Sequence, residues 1–438
     1  KDILNTGEPA DLVGGRTSTL RHLADAKVKA KENAGIDPMW DSVLEWYKYN
    51  EPETAASMMG GLGFDNRVYP VGEGLSDIMF SGRSADSVSA SRLESYAGCP
   101  FRYFIDYGLR PEERRVFETG SREIGDVYHE SLMKITSELS EHGIWDTVTD
   151  EQLKDLIHRT VSAEEQEYGE GVFHYSGSDS YRAGRVEKTL MESVMVLISH
   201  ARAGKIAGSR YEQVFGRGAD IPPVEVEAGG KKIYIEGQID RLDLLENGRV
   251  KIIDYKSGQK TLTDQEIRAG YRLQLMLYMK AAQEGKREPA GVFYFYLGTK
   301  DVDTGALKGA SIADGTDPEV LQAKRVPSMQ GIVVNDPETI SEIIGDDTTG
   351  RIASIKPDKS GLYHGTNGNL VLAEGDFNDL QKAVDDKVQE LVRGINEGQI
   401  DIHPMRSKGE RIACQYCPYL SICRFDTGFR GCRYNDIN

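Results

Sequence analysis

Asp240 and Asp254, with Lys256 two residues past the second, are the residues whose types and spacing bear most directly on chemistry. They lie in Gly237-Gln238-Ile239-Asp240-Arg241-Leu242-Asp243 and in Ile252-Ile253-Asp254-Tyr255-Lys256-Ser257-Gly258, two strand-like runs joined by a turn at Glu246-Asn247-Gly248. Two carboxylates brought together on neighbouring strands can hold a hard divalent cation such as Mg²⁺. A lysine beside that cation can orient a water and help deprotonate it. Positioning and charge stabilisation of this kind suit hydrolysis of a phosphodiester. An isolated Asp-x-Lys is common as a solvated surface pair, but Ile252-Ile253 puts Asp254 at the end of a buried strand. Asp243 competes as a ligand. Strand alternation sends it to the face opposite Asp240, where it reads as a salt-bridge partner.

Three further groups carry polar chemistry. Gln274 and Tyr278 are four residues apart and share a helix face. Leu273, Leu275, Met276, Leu277 and Met279 make that helix apolar nearly all round, hence buried. Its Gln and Tyr must find hydrogen-bond partners, either loop backbone or a reaction centre. His129, in Gly125 to Leu132, stands beside a helical apolar stripe. An imidazole there is commonly structural, and oxygen suits Mg²⁺ better than nitrogen does. Cys414-x2-Cys417-x5-Cys423 supplies three thiolates at metal-ligand spacing, with Cys99 or Cys432 as the fourth. An odd count of five, four of them crowded at the end of the chain, does not suggest a disulfide framework. Such a set accepts an iron–sulfur cluster or zinc, and spacing does not separate the two. With Cys99 as fourth ligand, the start of a domain would be fastened to its end.

The elements that must position these groups follow from periodicity. Residues 1–75 read as helical, with apolar patterns through Leu20 and Leu23 and through Trp40, Val43, Leu44 and Trp46. Gly60, Gly61 and Gly63 break the second pattern. Asp77 to Ser81 suggests a short strand, and Ser91 with Glu94 suggests a capped helix start. Residues 120–206 are helical, with stripes Val127, Leu132, Ile135, Leu139 and Val186, Leu190, Val194, Leu197. Strands are expected at 211–215, 233–239, 242–245, 250–255 and 292–297. Helices are expected around 263–267, from 271 to 283 and from 376 to 396. Strands with flanking helices imply an α/β fold with a mixed sheet. The expected organisation is a helical segment 1–75 and a catalytic domain 76–438. That domain divides into a helical part (120–206), an α/β core (207–300), an insertion (301–370) and a cysteine-bearing part (403–438).

Length and composition set bounds. With 438 residues and 39% hydrophobic residues, two or three domains with a sizeable core are possible. No long uncharged apolar run suggests a membrane span. The opening Lys1-Asp2-Ile3 has no Met and no signal-like pattern, so the chain is read as a piece of a larger cytosolic protein. A net charge of −17 argues against nucleic acid as partner if taken alone. Carboxylates at a metal centre relax that objection. Arg92, Arg102, Arg110, Arg114, Arg115 and Arg122 are a possible DNA track or a solvated mixed-charge face. No Walker A loop is present.

Together these residues resemble the RecB-like branch of the PD-(D/E)XK nuclease superfamily, and more narrowly the C-terminal nuclease region of the B subunits of AddAB-type ATP-dependent helicase–nucleases. The resemblance spans roughly Ser89 to Phe425. It rests on Ser91-Arg92-Leu93-Glu94-Ser95-Tyr96-Ala97-Gly98-Cys99-Pro100-Phe101-Arg102-Tyr103-Phe104, on Gly125 to Leu132, on Gly237 to Asp243, on Asp254-Tyr255-Lys256, on Gln274-x3-Tyr278 and on Cys414-x2-Cys417-x5-Cys423. Ile239 stands before Asp240 where the wider superfamily often has proline. The resemblance implies a restriction-endonuclease-like mixed sheet with an iron–sulfur staple. It implies His129, Asp240 and Asp254 as ligands of Mg²⁺ or Mn²⁺, with the Tyr255 carbonyl completing the set. Lys256 would be catalytic, with Gln274 and Tyr278 beside it. Cys99, Cys414, Cys417 and Cys423 would hold a [4Fe–4S] cluster, leaving Cys432 out. The implied function is a DNA exonuclease in double-strand break repair, cutting the 5′-ended single strand delivered by an A subunit in a heterodimer. Rival expectations are a Cas4-like or exonuclease-V-like iron–sulfur nuclease, and a non-catalytic DNA-end-binding scaffold.

Overall fold

The computed structural model describes residues 8–31, 35–63, 66, 68–72, 74, 86–112, 121–145, 147–167, 177–256, 262–283, 286–296, 329–345, 352–407, 413–428 and 432–437. The strand expected at 77–81 and the first part of the expected insertion, 301–328, lie outside these residues. The chain divides into two compact units: residues 1–68 with 418–434, and residues 69–417 with 435–438.

The smaller unit is built on α1 (Arg16–Lys31), α2 (Met39–Asn50) and α3 (Pro52–Gly63). Its core joins Leu23, Ala26, Trp40, Leu44, Tyr47 and Ala55. Trp40, Leu44 and Tyr47 fall at i, i+4 and i+7, one face of a helix. Tyr47, not Trp46, completes that face: Trp46 is 47% exposed while Tyr47 is buried and donates its hydroxyl to the Arg16 carbonyl at 2.8 Å. Gly60 and Gly61 lie within α3 rather than ending it. A short helix, Leu420–Cys423, belongs to this unit, and the Asn66 side chain donates to the Cys423 carbonyl at 2.7 Å.

The larger unit is an α/β fold. Helix α4 (Ala90–Gly98) is capped by Ser89, whose side chain accepts from the Arg92 N–H. The cap is therefore two residues earlier than the Ser91–Glu94 spacing suggested, and Glu94 is left for another task. Three longer helices follow: α5 (Ser121–Glu141), α6 (Asp150–Glu167) and α7 (Gly177–Ala203). A six-stranded mixed sheet comes next. Its strands are β2 (Ile206–Phe215), β5 (Gly237–Leu245), β6 (Val250–Lys256), β7 (Pro289–Tyr296), β8 (Met329–Val334) and β9 (Leu370–Leu372), in the order β9-β8-β7-β6-β5-β2. Residues 329–334, from the stretch without a recognisable motif, thus form a strand inside the sheet, antiparallel to β7. A second sheet joins β1 (Ser87–Val88), β3 (Val224–Ala228) and β4 (Lys231–Ile235) in the order β1-β4-β3.

The expected single strand 233–239 is two strands in two sheets, while the expected strands 233–239 and 242–245 share β5. Glu236 marks the switch. Its carboxylate accepts from Ser87 Oγ at 2.9 Å and from the Arg217 backbone at 3.1 Å. Gly237 then lets the chain pass close to its neighbours, because a Cβ there would stand 2.9 Å from the Phe215 ring.

The sheet is covered by helices. Both apolar stripes of α5 and α7 are buried, packed with Ile253 and Tyr255 of β6, Phe293 and Phe295 of β7, and Met329 and Val333 of β8. Crossing from β6 to its parallel neighbour β7 are α8 (Asp264–Arg268), capped by Thr263, and α9 (Gln274–Gln283), which packs against β6 and β7. A parallel pair requires such a crossover, and a helix supplies it. Helix α9 starts three residues later than its apolar run suggested. Outside these, α10 (Pro337–Ile344) is capped by Asp336, and the long α11 (Glu374–Asn396) ends before Gly398, which takes a positive φ of 67°. No helix among the described residues is long and apolar enough to cross a membrane.

Candidate active site

The hairpin of β5 and β6 brings the two aspartates together. At its turn, Asn247 Oδ1 accepts from the Arg249 N–H at 3.0 Å and Gly248 supplies a φ of 83°. Asn and Gly are the residues such a turn asks for. The register pairs Arg241 with Ile253, so the next step sets Asp240 opposite Asp254. The Tyr255 N–H donates to Asp240 Oδ2 at 2.7 Å, locking one carboxylate to the backbone of the other strand. Asp254 is 1% exposed and its Oδ2 lies 2.6 Å from Lys256 Nζ. The ammonium also stands 5.7 Å from the centre of the Tyr294 ring, on β7.

His129 comes to this hairpin from α5. Its Nε2 is 3.3 Å from Asp240 Oδ2. That hydrogen bond, with the charges of Asp240, Glu212 and Asp254, raises the imidazole to about 9 against the opposing effect of burial.

Glu212 is the member that periodicity did not reveal. It lies on β2 between the Tyr211–Arg241 and Gln213–Ile239 pairs, opposite Asp240. Its φ is +47°, which costs a residue with a Cβ roughly 1–2 kcal/mol. Gln238 Nε2 donates to its carboxylate. Burial, then the Asp240 charge, pushes its pKa up to about 7. One ligand atom each from His129, Glu212 and Asp240 lies within 4.8 Å of the others. An imidazole nitrogen and two carboxylate oxygens converging at that spacing fit a divalent cation. Glu212 had no signal of its own in Arg210-Tyr211-Glu212-Gln213-Val214-Phe215: only the pairing of β2 with β5 brings it to Asp240.

Gln274 and Tyr278 pair with each other, Gln274 Nε2 donating to the Tyr278 hydroxyl at 2.9 Å, rather than with loop backbone. Tyr278 packs edge-on against Phe215, and its hydroxyl is held well above its ordinary range by burial and by the charges of Asp254 and Asp240. The start of α9 is held by Glu94, whose Oε1 accepts from the Leu273 N–H at 2.7 Å and the Gln274 N–H at 2.9 Å.

Asp243 faces the other way and has a different role. It is fully buried, 2.8 Å from Arg241 Nε and 3.0 Å from Lys251 Nζ, and accepts from Ser209 Oγ at 2.7 Å. Burial alone would raise its carboxyl, but Arg241 and Lys251 overcome that and hold it well below its ordinary range.

All five cysteines are free thiols. Cys99, Cys414 and Cys417 belong to the larger unit, Cys423 and Cys432 to the smaller. Cys99 follows α4, is 8% exposed, and is pushed up by burial. The backbone N–H groups of Arg102, Phe101 and His403 oppose that rise, and the Cys417 thiol is close enough to add to it. The Cys417 N–H donates to the Cys414 carbonyl at 3.3 Å, closing the turn between them. The segment bearing Cys99 is tied to the end of α11 by two bonds, from Tyr96 Oη to the Gln399 carbonyl at 3.0 Å and from the Phe101 N–H to the Asp401 carbonyl at 3.2 Å.

The chain is similar to the B subunit of the ATP-dependent helicase/deoxyribonuclease of Alkaliphilus metalliredigens, with 30% identity over all of this chain and 38% of the relative. It is 31% identical to the corresponding B subunit of Alkaliphilus oremlandii over 96% of this chain and 37% of the relative, and 28% identical to that of Clostridium novyi over 96% and 38%. The chain thus spans less than two fifths of the length of these relatives. The sequence pattern of the PD-(D/E)XK nuclease superfamily matches residues 87–424, which include every polar group around the paired aspartates described above. The chain belongs to the PD-(D/E)XK nuclease superfamily.

Proposed function

We propose that this chain is the nuclease region of a helicase–nuclease B subunit, a metal-dependent DNA exonuclease that acts in the cytoplasm on the 5′-ended single strand of an unwound end during recombinational repair. It would work in a heterodimer with the A subunit that delivers the strand. The observation that carries this reading is the meeting of His129, Glu212 and Asp240 within 4.8 Å, beside the Asp254–Lys256 pair. The names of the relatives, each the B subunit of a helicase/deoxyribonuclease, support the partner and the substrate.

In this reading His129, Asp240 and Asp254, with Glu212 and the Tyr255 carbonyl, would hold Mg²⁺ or Mn²⁺. The cation, when bound, supplies Lewis-acid charge at the scissile phosphate and acidifies an attacking water. The Tyr255 N–H keeps Asp240 from rotating away. Lys256, set by Asp254 and the Tyr294 face, donates to the water or to a phosphate oxygen. Gln274 and Tyr278 orient the same groups from α9. Cys99, Cys414, Cys417 and Cys423 would hold a [4Fe–4S] cluster, a part of the reading supported by the spacing of the thiols in the sequence.

The direct test is degradation of 5′-labelled single-stranded DNA with Mg²⁺ by the chain and by Lys256→Ala, with and without the A subunit. Cleavage by wild type with loss of about 10²-fold or more in Lys256→Ala is the expected result. Equal cleavage by both would remove Lys256 from the chemistry, and none by either, with the partner present, would favour a DNA-end-binding scaffold.

A further inference from the structure

Helix α9 carries Gln274 and Tyr278 but has no N-cap of its own. The residues before it, Tyr271-Arg272-Leu273, include none of the Ser, Thr, Asp or Asn side chains that satisfy the free N–H groups of a first turn. The acceptor comes instead from Glu94, 179 residues away from Leu273 in sequence and in the middle of α4. One oxygen, Oε1, takes both the Leu273 and Gln274 N–H groups, at 2.7 and 2.9 Å. A carboxylate at a helix N-terminus is also favoured by the helix dipole. The second of these N–H groups belongs to the residue whose side chain reaches the Tyr278 hydroxyl. Fixing that backbone therefore fixes the origin of the Gln274 side chain.

We propose that Glu94 is a positioning residue of the nuclease site, a cap supplied by α4 that sets where Gln274 and Tyr278 stand. This rests on the reading of those two residues as parts of a nuclease site. A cap that served folding alone would lower the amount of active protein but leave each folded molecule as fast as before.

The test uses the chain with Mg²⁺ and the A subunit, with single-stranded DNA as substrate. Glu94→Ala is expected to lower kcat about tenfold with little change in KM, the pattern for an interaction that matters in the transition state. Glu94→Gln, which keeps an acceptor oxygen, recovers most of that loss. In a Gln274→Ala/Tyr278→Phe background, Glu94→Ala has no further effect, because both of its targets are gone. Hydrogen exchange at the Leu273 and Gln274 amides accelerates in Glu94→Ala without any metal or DNA. If Glu94→Ala does not fold, Glu94→Asp, one methylene too short to reach α9, takes its place in the cycle. An unchanged kcat per folded molecule, or equal losses with and without the Gln274 and Tyr278 side-chain groups, overturns the inference while leaving the nuclease reading intact. Absence of cleavage by wild type under these conditions overturns that reading and takes this inference with it.

Discussion

Glu212 adopts a backbone conformation that side chains avoid at the place where its carboxylate meets His129 and Asp240. Strain of this kind is kept where a surrounding structure demands it, and in the proposed metal site the demand would be convergence of ligand atoms. In the metal-free chain, His129 keeps its proton up to about pH 9 and Glu212 up to about 7. Both pKa values are raised, so both groups bind protons more tightly folded than unfolded. Their effect on stability is therefore most favourable at low pH. It declines for Glu212 as pH rises from its ordinary 4.5 to about 7, and for His129 from its ordinary 6.5 to about 9. A cation must displace the same protons. Its affinity should rise with pH, by up to about tenfold per unit for each proton released. Calorimetric titration with Mg²⁺ from about pH 6 to about pH 8 checks this. A flat affinity would mean that neither group is a ligand. Glu212→Gln should weaken binding and flatten the lower part of the profile.

Among the elements, β5 carries two unlike faces. Asp240 points to the polar convergence, while Asp243, three residues on, is sealed with Arg241 and Lys251 under a layer that includes Ser209 of β2. The Arg241 guanidinium also lies 5.5 Å from the Tyr211 ring and 5.8 Å from the Trp145 ring. The buried cluster thus ties β2, β5 and β6 together directly behind the aspartates. Removing its one acid leaves two cations without their counter-charge. Asp243→Ala should cost about 3–5 kcal/mol in denaturant unfolding, whereas Asp240→Ala, which also removes a like charge beside Glu212, should cost far less. Comparable losses for the two would mean that the cluster does not anchor the hairpin.

For the whole molecule, the tail is the feature with most at stake. The Cys99 segment lies in the early part of the larger unit, and hydrogen bonds already tie it to residues 399–401 near the end of that unit's main stretch. A cluster on Cys99, Cys414, Cys417 and Cys423 would close that long loop chemically, and closing long loops has the largest entropic effect. Cys417→Ala should abolish the visible absorbance of anaerobically purified protein and lower its melting temperature. Unchanged absorbance and melting together would remove the cluster from this chain. Net charge is informative at this scale too. At −17 the chain needs its cations gathered locally if it is to hold DNA, so binding should weaken steeply with added salt.

Short runs of residues were enough to specify the hairpin and the meeting of its two aspartates. Asp240, Asp254 and Lys256 could be read from them because strand period, an Asn-Gly turn and buried isoleucines are local properties. The stripes of α5 and α7 and the shared face of Gln274 and Tyr278 were legible for the same reason: a helix repeats every 3.6 residues wherever it lies. Other features depended on what packs beside a segment. Tyr47 rather than Trp46 fills the smaller core, the run 233–239 divides between two sheets at Glu236, and residues 329–334 join the main sheet. Glu212 reaches Asp240 through a pairing of strands, and Glu94 reaches α9 across 179 residues. Each of these is decided by a partner far away in the chain. No local periodicity records such a partner, because the free energy that selects it is realised only when the distant surfaces meet.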